Sequence, residues 1–86
     1  MPVERARLES IVATIWTNVL EVATVRPGDN FLDLGGNSLR AGEIAWRIRE
    51  EVGVEVPIDV VLDEPTLGDL VTAIESLLGN ATEVQR

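Results

Sequence analysis

Chemically useful side chains concentrate in one stretch, which reads LGGNSL at residues 34–39. Asn37 and Ser38 are of the types that accept hydrogen bonds from free N–H groups where a helix begins. Gly35 and Gly36 leave the backbone free to turn and put no side chain in the way of an incoming group. The stretch therefore predicts an accessible Ser38 at a helix N-terminus, where the helix dipole favours phosphate.

Most side chains used in catalysis are missing from the 86 residues, which contain no His, Cys, Lys or Tyr. Ser38 therefore has no base to activate it within its own motif, and we do not predict that it is a nucleophile by its own means. Another enzyme can still modify it, and Arg40, two residues later, can help hold a phosphodiester. The residues alone leave two alternatives, a modified serine and a plain N-cap.

Charge excludes further classes of function. The net charge is −8 and every cation is Arg, so the domain is a poor binder of nucleic acid or anionic membranes. Residues 53–69 hold five acidic side chains and no cation. They show no ligand spacing for a metal, and the pair Asp63-Glu64 is interpreted as a turn. We predict a solvated face or a docking surface for a basic partner there.

Apolar residues recur at three- and four-residue steps, which predicts an all-α fold with three main helices and one short helix. No apolar run approaches the ~18 residues of a membrane span, and a cytoplasmic location is expected. The first predicted helix runs from Val3 to Val22, and the second from Ser38 or Leu39 to Val52, with Gly53 ending it. A short helix is predicted at Ile58–Leu62. The last helix is predicted to begin at Pro65-Thr66 and to stop at Gly79-Asn80, before a frayed 81–86.

The connection over residues 24–37 is long and needs apolar anchors to be ordered. Residues 26–29 read RPGD, a turn signal, and Asp29 is predicted to cap a short helical turn after it. Phe31, Leu32 and Leu34 are predicted to hold the connection onto the helices. In the first helix, Trp16 is predicted to lie at the rim of the core.

The second helix carries Leu39, Gly42 and Trp46 together on the face opposite its core stripe. A surface Leu and Trp beside an exposed Ser need an explanation. One alternative is that Leu39 and Trp46 fold back onto the 24–37 connection. The other is a docking patch for a partner, because such sites are enriched in Trp.

Several separated blocks together resemble one family. DNFLDLGGNSL at residues 29–39 resembles the modification-site signature of peptidyl carrier proteins, the thiolation domains of nonribosomal peptide synthetases, which reads like D-x-F-F-x-L-G-G-H/D-S-L. Residues 15–20 are similar to the family's first helix. Residues 53–57 and the Glu-Pro-Thr at 64–66 are similar to its second half. The resemblance covers about residues 8–78.

The resemblance implies a four-helix bundle, one domain over residues 1–86 with its core at about 5–79. It implies that a phosphopantetheinyl transferase, with coenzyme A and Mg²⁺, joins 4′-phosphopantetheine to Ser38, supported by Gly35, Gly36, Asn37 and Arg40. The arm's thiol then carries an aminoacyl, peptidyl or aryl group loaded by an adenylation enzyme. Condensation, thioesterase or tailoring enzymes are the further partners, and the carrier is a non-catalytic monomer.

The sequence differs from the residues that are usual in this family at four positions. Asn37 stands where His or Asp is usual, Leu32 and Leu62 replace Phe, and Trp46 stands where a small or polar residue is expected. The rival interpretations are an acyl carrier protein of fatty acid or polyketide synthesis and, from another class, an unmodified helical interaction module. We also expect a freestanding chain.

Overall fold

The computed structural model describes residues 4–63 and 66–84, with side chains described as far as Gly79. Within these residues there are four helices and no strand, and a single antiparallel bridge pairs Asn30 with Thr66. The predicted all-α bundle of three main helices and one short helix is confirmed. The helices are α1 (Arg5–Leu20), α2 (Ser38–Val52), α3 (Ile58–Asp63) and α4 (Leu67–Val84).

The apolar stripes of the helices meet in one core, in which α1 packs against α2 and α4, and α3 against α2. Trp16 is fully buried in this core, so its predicted place at the rim is wrong. Its ring lies against Phe31, with ring centroids 5.5 Å apart. Because Phe31 belongs to the connection before α2, this contact attaches that connection to α1 and draws Trp16 inward.

The turn predicted at residues 26–29 is confirmed, because the N–H of Asp29 donates to the carbonyl of Arg26. The predicted cap of the next turn is wrong by one residue. Asn30 Oδ1 accepts from the N–H groups of Leu32 and Asp33 at 2.9 and 3.2 Å. Asp29 is unsuited to that role because its carboxylate accepts from the Arg26 N–H at 2.8 Å.

Two of the three predicted apolar anchors hold the connection. Phe31 is fully buried and Leu34 is half-buried against the core, whereas Leu32 is 58% exposed. Residues 31–35 form a tight turn, in which side chains three apart share a face and the two between them point away. Leu32 falls on the outer side, so its predicted anchoring is wrong.

The end of α2 and the start of α4 follow the predicted local chemistry, whereas the ends of α1 and α4 do not. Gly53 ends α2 as predicted, and Thr66 Oγ1 accepts from the Asp69 N–H at 3.1 Å as the predicted cap of α4. The predicted stop at Gly79-Asn80 is wrong, because Gly79 does not take a positive φ and the helix continues to Val84. The start predicted for α1 at Val3 and the Glu64-Pro65 of the resemblance lie outside the described residues.

α1 begins at Arg5 and ends at Leu20, two residues before the predicted Val22, because Glu21 takes the left-handed conformation with a φ of 57°. The short helix α3 covers the predicted Ile58–Leu62 and one residue more. Val61 is buried, as predicted.

Candidate functional site

Asn37 is the N-cap of α2. Its backbone is extended, and its Oδ1 accepts from the N–H of Arg40 at 2.9 Å. This is the arrangement that satisfies one of the four free N–H groups of a starting helix. Of the two residues whose types predicted a cap, Asn37 is the cap and Ser38 is not, so the alternative in which Ser38 is a plain N-cap is wrong.

Ser38 is the first residue of α2 and its side chain is exposed. Among residues 4–63 and 66–84, no hydrogen bond engages the Ser38 hydroxyl or the N–H groups of Ser38 and Leu39. A hydroxyl with open access therefore lies beside two free donors at the positive end of a helix dipole. Such a set suits a phosphate ester on Ser38 Oγ, since both N–H groups can face phosphate oxygens.

The two positions before the site, 35 and 36, are occupied by glycine for different physical reasons. Gly35 has a φ of 93°, and a Cβ added there would meet nothing within 4 Å. A Cβ added at Gly36 would lie 2.5 Å from the ring of Phe31. Gly35 therefore permits the turn and leaves open space on its side of the site, whereas Gly36 is required because its backbone lies against Phe31.

Arg40 lies within α2's first turn, but its guanidinium is directed towards the end of α1. Its Nη1 donates to the carbonyl of Val19 and lies 3.9 Å from Glu21 Oε2. No contact joins the Arg40 side chain to Ser38 in the described part of the chain. The structure thus gives no support to the predicted role of Arg40 in holding a phosphodiester, which stays a prediction.

The face of α2 predicted as a docking patch is open. Leu39 is 82% exposed and Trp46 is 59% exposed, so the alternative in which they fold back onto the 24–37 connection is wrong. Gly42 is half-buried beside Ile58, whose Cδ1 would lie 3.6 Å from an added Cβ.

A groove of about 470 Å³ runs between α2 and the segment that leads into α3. Gly42 lies one helical turn from Ser38 on the same side of the helix, so the groove begins one turn from the serine. The apolar periodicity of α2 did not predict the groove, because the second wall of the groove comes from residues 55–58. Its lining residues are Gly42, Ala45, Trp46, Arg49, Glu55, Val56, Pro57 and Ile58.

The acidic residues of 53–69 that the structure describes are exposed, and one ion pair joins Glu55 to Arg49 at 3.9 Å across the groove's rim. No cluster of three or more possible metal ligands occurs in the described ranges. None of the four helices, as far as they are described, is long and apolar enough to cross a membrane.

Comparison with known families gives one match over most of the chain. Residues 10–74 match the family described as "Phosphopantetheine attachment site". The matched segment contains the predicted site, the connection before it and α2.

Curated relatives and solved structures agree with that match. One of the linear gramicidin synthase proteins of Brevibacillus parabrevis is 41% identical over 81 residues, which is 94% of this chain and 2% of the synthase protein. Phosphinothricin tripeptide synthetase PhsC of Streptomyces viridochromogenes is 36% identical over 80% of this chain and 6% of its own length. The chain therefore spans only a small part of the synthetases it matches.

Among solved structures, BlmI from Streptomyces verticillus, a type-II acyl carrier protein involved in bleomycin biosynthesis, superposes with a TM-score of 0.81 at 35% identity, covering 86% of this chain and 89% of BlmI. A peptidyl carrier protein solved with the transferase Sfp and coenzyme A gives 0.77 at 33% identity, covering 87% and 95%. The fold, the match over residues 10–74 and the open serine agree, and the chain belongs to the phosphopantetheine-attachment family, the carrier domains whose covalent cofactor is 4′-phosphopantetheine.

Proposed function

We propose that Ser38 Oγ is the attachment point of 4′-phosphopantetheine and that the chain is a non-catalytic carrier in nonribosomal peptide synthesis. The observation that carries this proposal is an exposed hydroxyl at the first position of α2, beside two N–H groups with no partner in the described residues. Its relatives among the synthetases of linear gramicidin and phosphinothricin tripeptide support the peptidyl assignment.

The attachment reaction draws its catalytic groups from the transferase. Ser38 Oγ forms a bond to the pantetheine-bearing phosphorus of coenzyme A, the phosphoanhydride bond breaks, and adenosine 3′,5′-bisphosphate leaves. The hydroxyl proton passes to a base of the transferase, because this chain has no His, Cys or Lys and no carboxylate of its described residues contacts the Ser38 hydroxyl. The chain supplies the alignment of the hydroxyl and the helix N-terminus that faces the new phosphodiester.

When attached, the arm supplies a thiol that holds an acyl group as a thioester, which this cysteine-free chain cannot do with its own side chains. The chain's own contribution is to tether that group near its partner enzymes at a high effective concentration. The partners we propose are a phosphopantetheinyl transferase, an adenylation enzyme, and condensation, thioesterase or tailoring enzymes.

The docking surface for these partners is proposed to be the open face of α2, with Leu39, Gly42 and Trp46, together with the groove beside it. Leu39 directly follows the serine that a partner must reach, Trp46 lies about two helical turns further along α2, and both are more than half exposed. Burying Trp46 and Leu39 in a complex would remove that apolar area from water, which favours association.

Intact mass spectrometry after incubation with coenzyme A, Mg²⁺ and a broad-specificity transferase tests the proposal. We expect one phosphopantetheine adduct on the wild-type chain and none on Ser38→Ala. Ser10→Ala is the matched control, because Ser10 is also exposed on a helix but lies on α1, and it should gain the adduct at the wild-type rate. A wild-type chain without an adduct, or an adduct on Ser38→Ala, contradicts the proposal.

A further inference from the structure

The end of α1 lacks a cation of its own. Its last turn contains no basic residue, and the carbonyl of Val19 is one of the last four, which have no intrahelical N–H partner. The negative end of a helix dipole favours a positive charge. In this fold the charge comes from another helix, because Arg40 of α2 donates to that carbonyl.

The position of Arg40 within α2 has no local explanation. A cation in the first turn of a helix lies at the positive end of the dipole, which is unfavourable, and α2 has no acidic residue in that turn to compensate. Exposed ion pairs contribute little, and Glu21 at 3.9 Å is 78% exposed. The contact with the Val19 carbonyl is therefore the interaction that accounts for the side chain's direction.

The first turn of α2 is otherwise weakly attached. Ser38 and Leu39 are exposed, and the first buried residue of the helix is Ala41. Arg40 is held at two points, since its N–H donates to Asn37 Oδ1 and its guanidinium to Val19. The side chain is only 36% exposed. It thus joins the turn that carries Ser38 to the end of α1.

We infer that Arg40 is a positioning residue, which fixes the first turn of α2 against α1 and so sets the place of Ser38 Oγ for phosphopantetheine transfer. The inference rests on the proposed function of Ser38. This positioning role differs from a direct contact with the phosphodiester, because the contact between Arg40 and Val19 acts in the chain before any group is attached. Small misplacements of a reacting atom slow transfer strongly, so loosening the turn should lower kcat more than it raises KM.

Arg40→Met tests the inference, because Met keeps much of the aliphatic stem and removes the donor. We expect the hydrogen-bonded amide hydrogens of Arg40 and Ala41 in the unmodified protein to exchange about tenfold faster. The kcat of phosphopantetheine transfer should fall about five- to twentyfold with KM for the carrier changed less than about twofold. Arg40→Lys keeps a charged donor and should restore both quantities to within about threefold of wild type.

Arg47→Met is the matched control, since Arg47 is on the same helix and pairs with Glu43 at 3.3 Å away from the groove. It should leave amide exchange at Arg40 and Ala41 and the kcat of transfer unchanged. In wild-type protein, NMR of the arginine side chains should show slower rotation of the Arg40 guanidinium than of Arg49, whose side chain is 58% exposed. This last measurement needs no variant and so does not depend on Arg40→Met folding.

Unchanged exchange in Arg40→Met, a rise in KM alone, or an Arg40 guanidinium that rotates as freely as that of Arg49 overturns the inference. A wild-type chain that gains no adduct, or an adduct on Ser38→Ala, overturns the proposed function instead. Amide exchange and guanidinium rotation are measured on the unmodified protein, so in that case they still test the contact between Arg40 and Val19.

Discussion

Ser38 has no side-chain partner among the described residues, so its position depends on residues two places before and two places after it. Gly36 lies against the ring of Phe31, which in turn contacts Trp16 in the core. Arg40 contacts the end of α1. A site that must remain bare for a partner enzyme is in this way held by its neighbours rather than by its own contacts.

Gly36→Ala should destabilise the fold by about 1–3 kcal/mol, because its Cβ overlaps the Phe31 ring and neither the ring nor the backbone can shift freely in a packed core. A Cβ at Gly36 would lie 2.5 Å from the ring. Gly28→Ala is the matched control, since nothing lies within 4 Å of its added Cβ. It should stay within about 0.5 kcal/mol of wild type. Urea unfolding of both variants measures the difference, and equal midpoints would refute it.

At the scale of elements, α2 and α4 each contain a glycine near the predicted end of the helix, with opposite outcomes. Gly53 takes a φ of 84° and ends α2. Gly79 has no positive φ, and α4 continues through it to Val84. A glycine permits a helix to end but does not require it to end. Replacing Gly53 or Gly79 with Ala is therefore expected to change the stability of the protein in opposite directions.

Gly79→Ala should stabilise the protein by about 0.5–1 kcal/mol, because Ala has the higher helix propensity and nothing lies within 4 Å of the new Cβ. Gly53→Ala should destabilise by about 1–2 kcal/mol, because a side chain is strained in the left-handed conformation. Thermal unfolding followed by circular dichroism should move the two midpoints in opposite directions. A lower midpoint for Gly79→Ala would show that the helix does end there.

The elements predicted well from sequence are those specified by local chemistry. Asn37 and Thr66 cap helices with their own side chains, Gly53 ends one, and apolar periodicity selects the buried faces of α1 and α2. Contacts between distant parts of the chain were not predictable in this way. Arg40 reaches Val19 across 21 residues, and Trp16 meets Phe31 from another segment. Periodicity along one helix carries no information about such partners.

At the scale of the whole molecule, apolar side chains divide into a continuous core and a small exposed set. Among the large hydrophobic residues that the structure describes as exposed, Leu39, Trp46 and Ile58 belong to α2 and α3, and Leu32 lies on the preceding connection. Trp46 and Ile58 line the groove. The proposed partner surface therefore begins at Leu39, directly after the serine, and extends along α2 towards α3.

Trp46→Ala should weaken loading by the cognate adenylation enzyme, because the indole loses its proposed apolar contact in the complex. We expect KM for the carrier to rise about tenfold, as for truncation of an interface Trp, while unfolding stability changes by less than about 0.5 kcal/mol. Leu32→Ala is the matched control, since Leu32 is 58% exposed against 59% for Trp46 but does not line the groove. Steady-state thioester formation on the modified carriers measures both. An unchanged KM for Trp46→Ala, or an equal rise for Leu32→Ala, would contradict docking through this face.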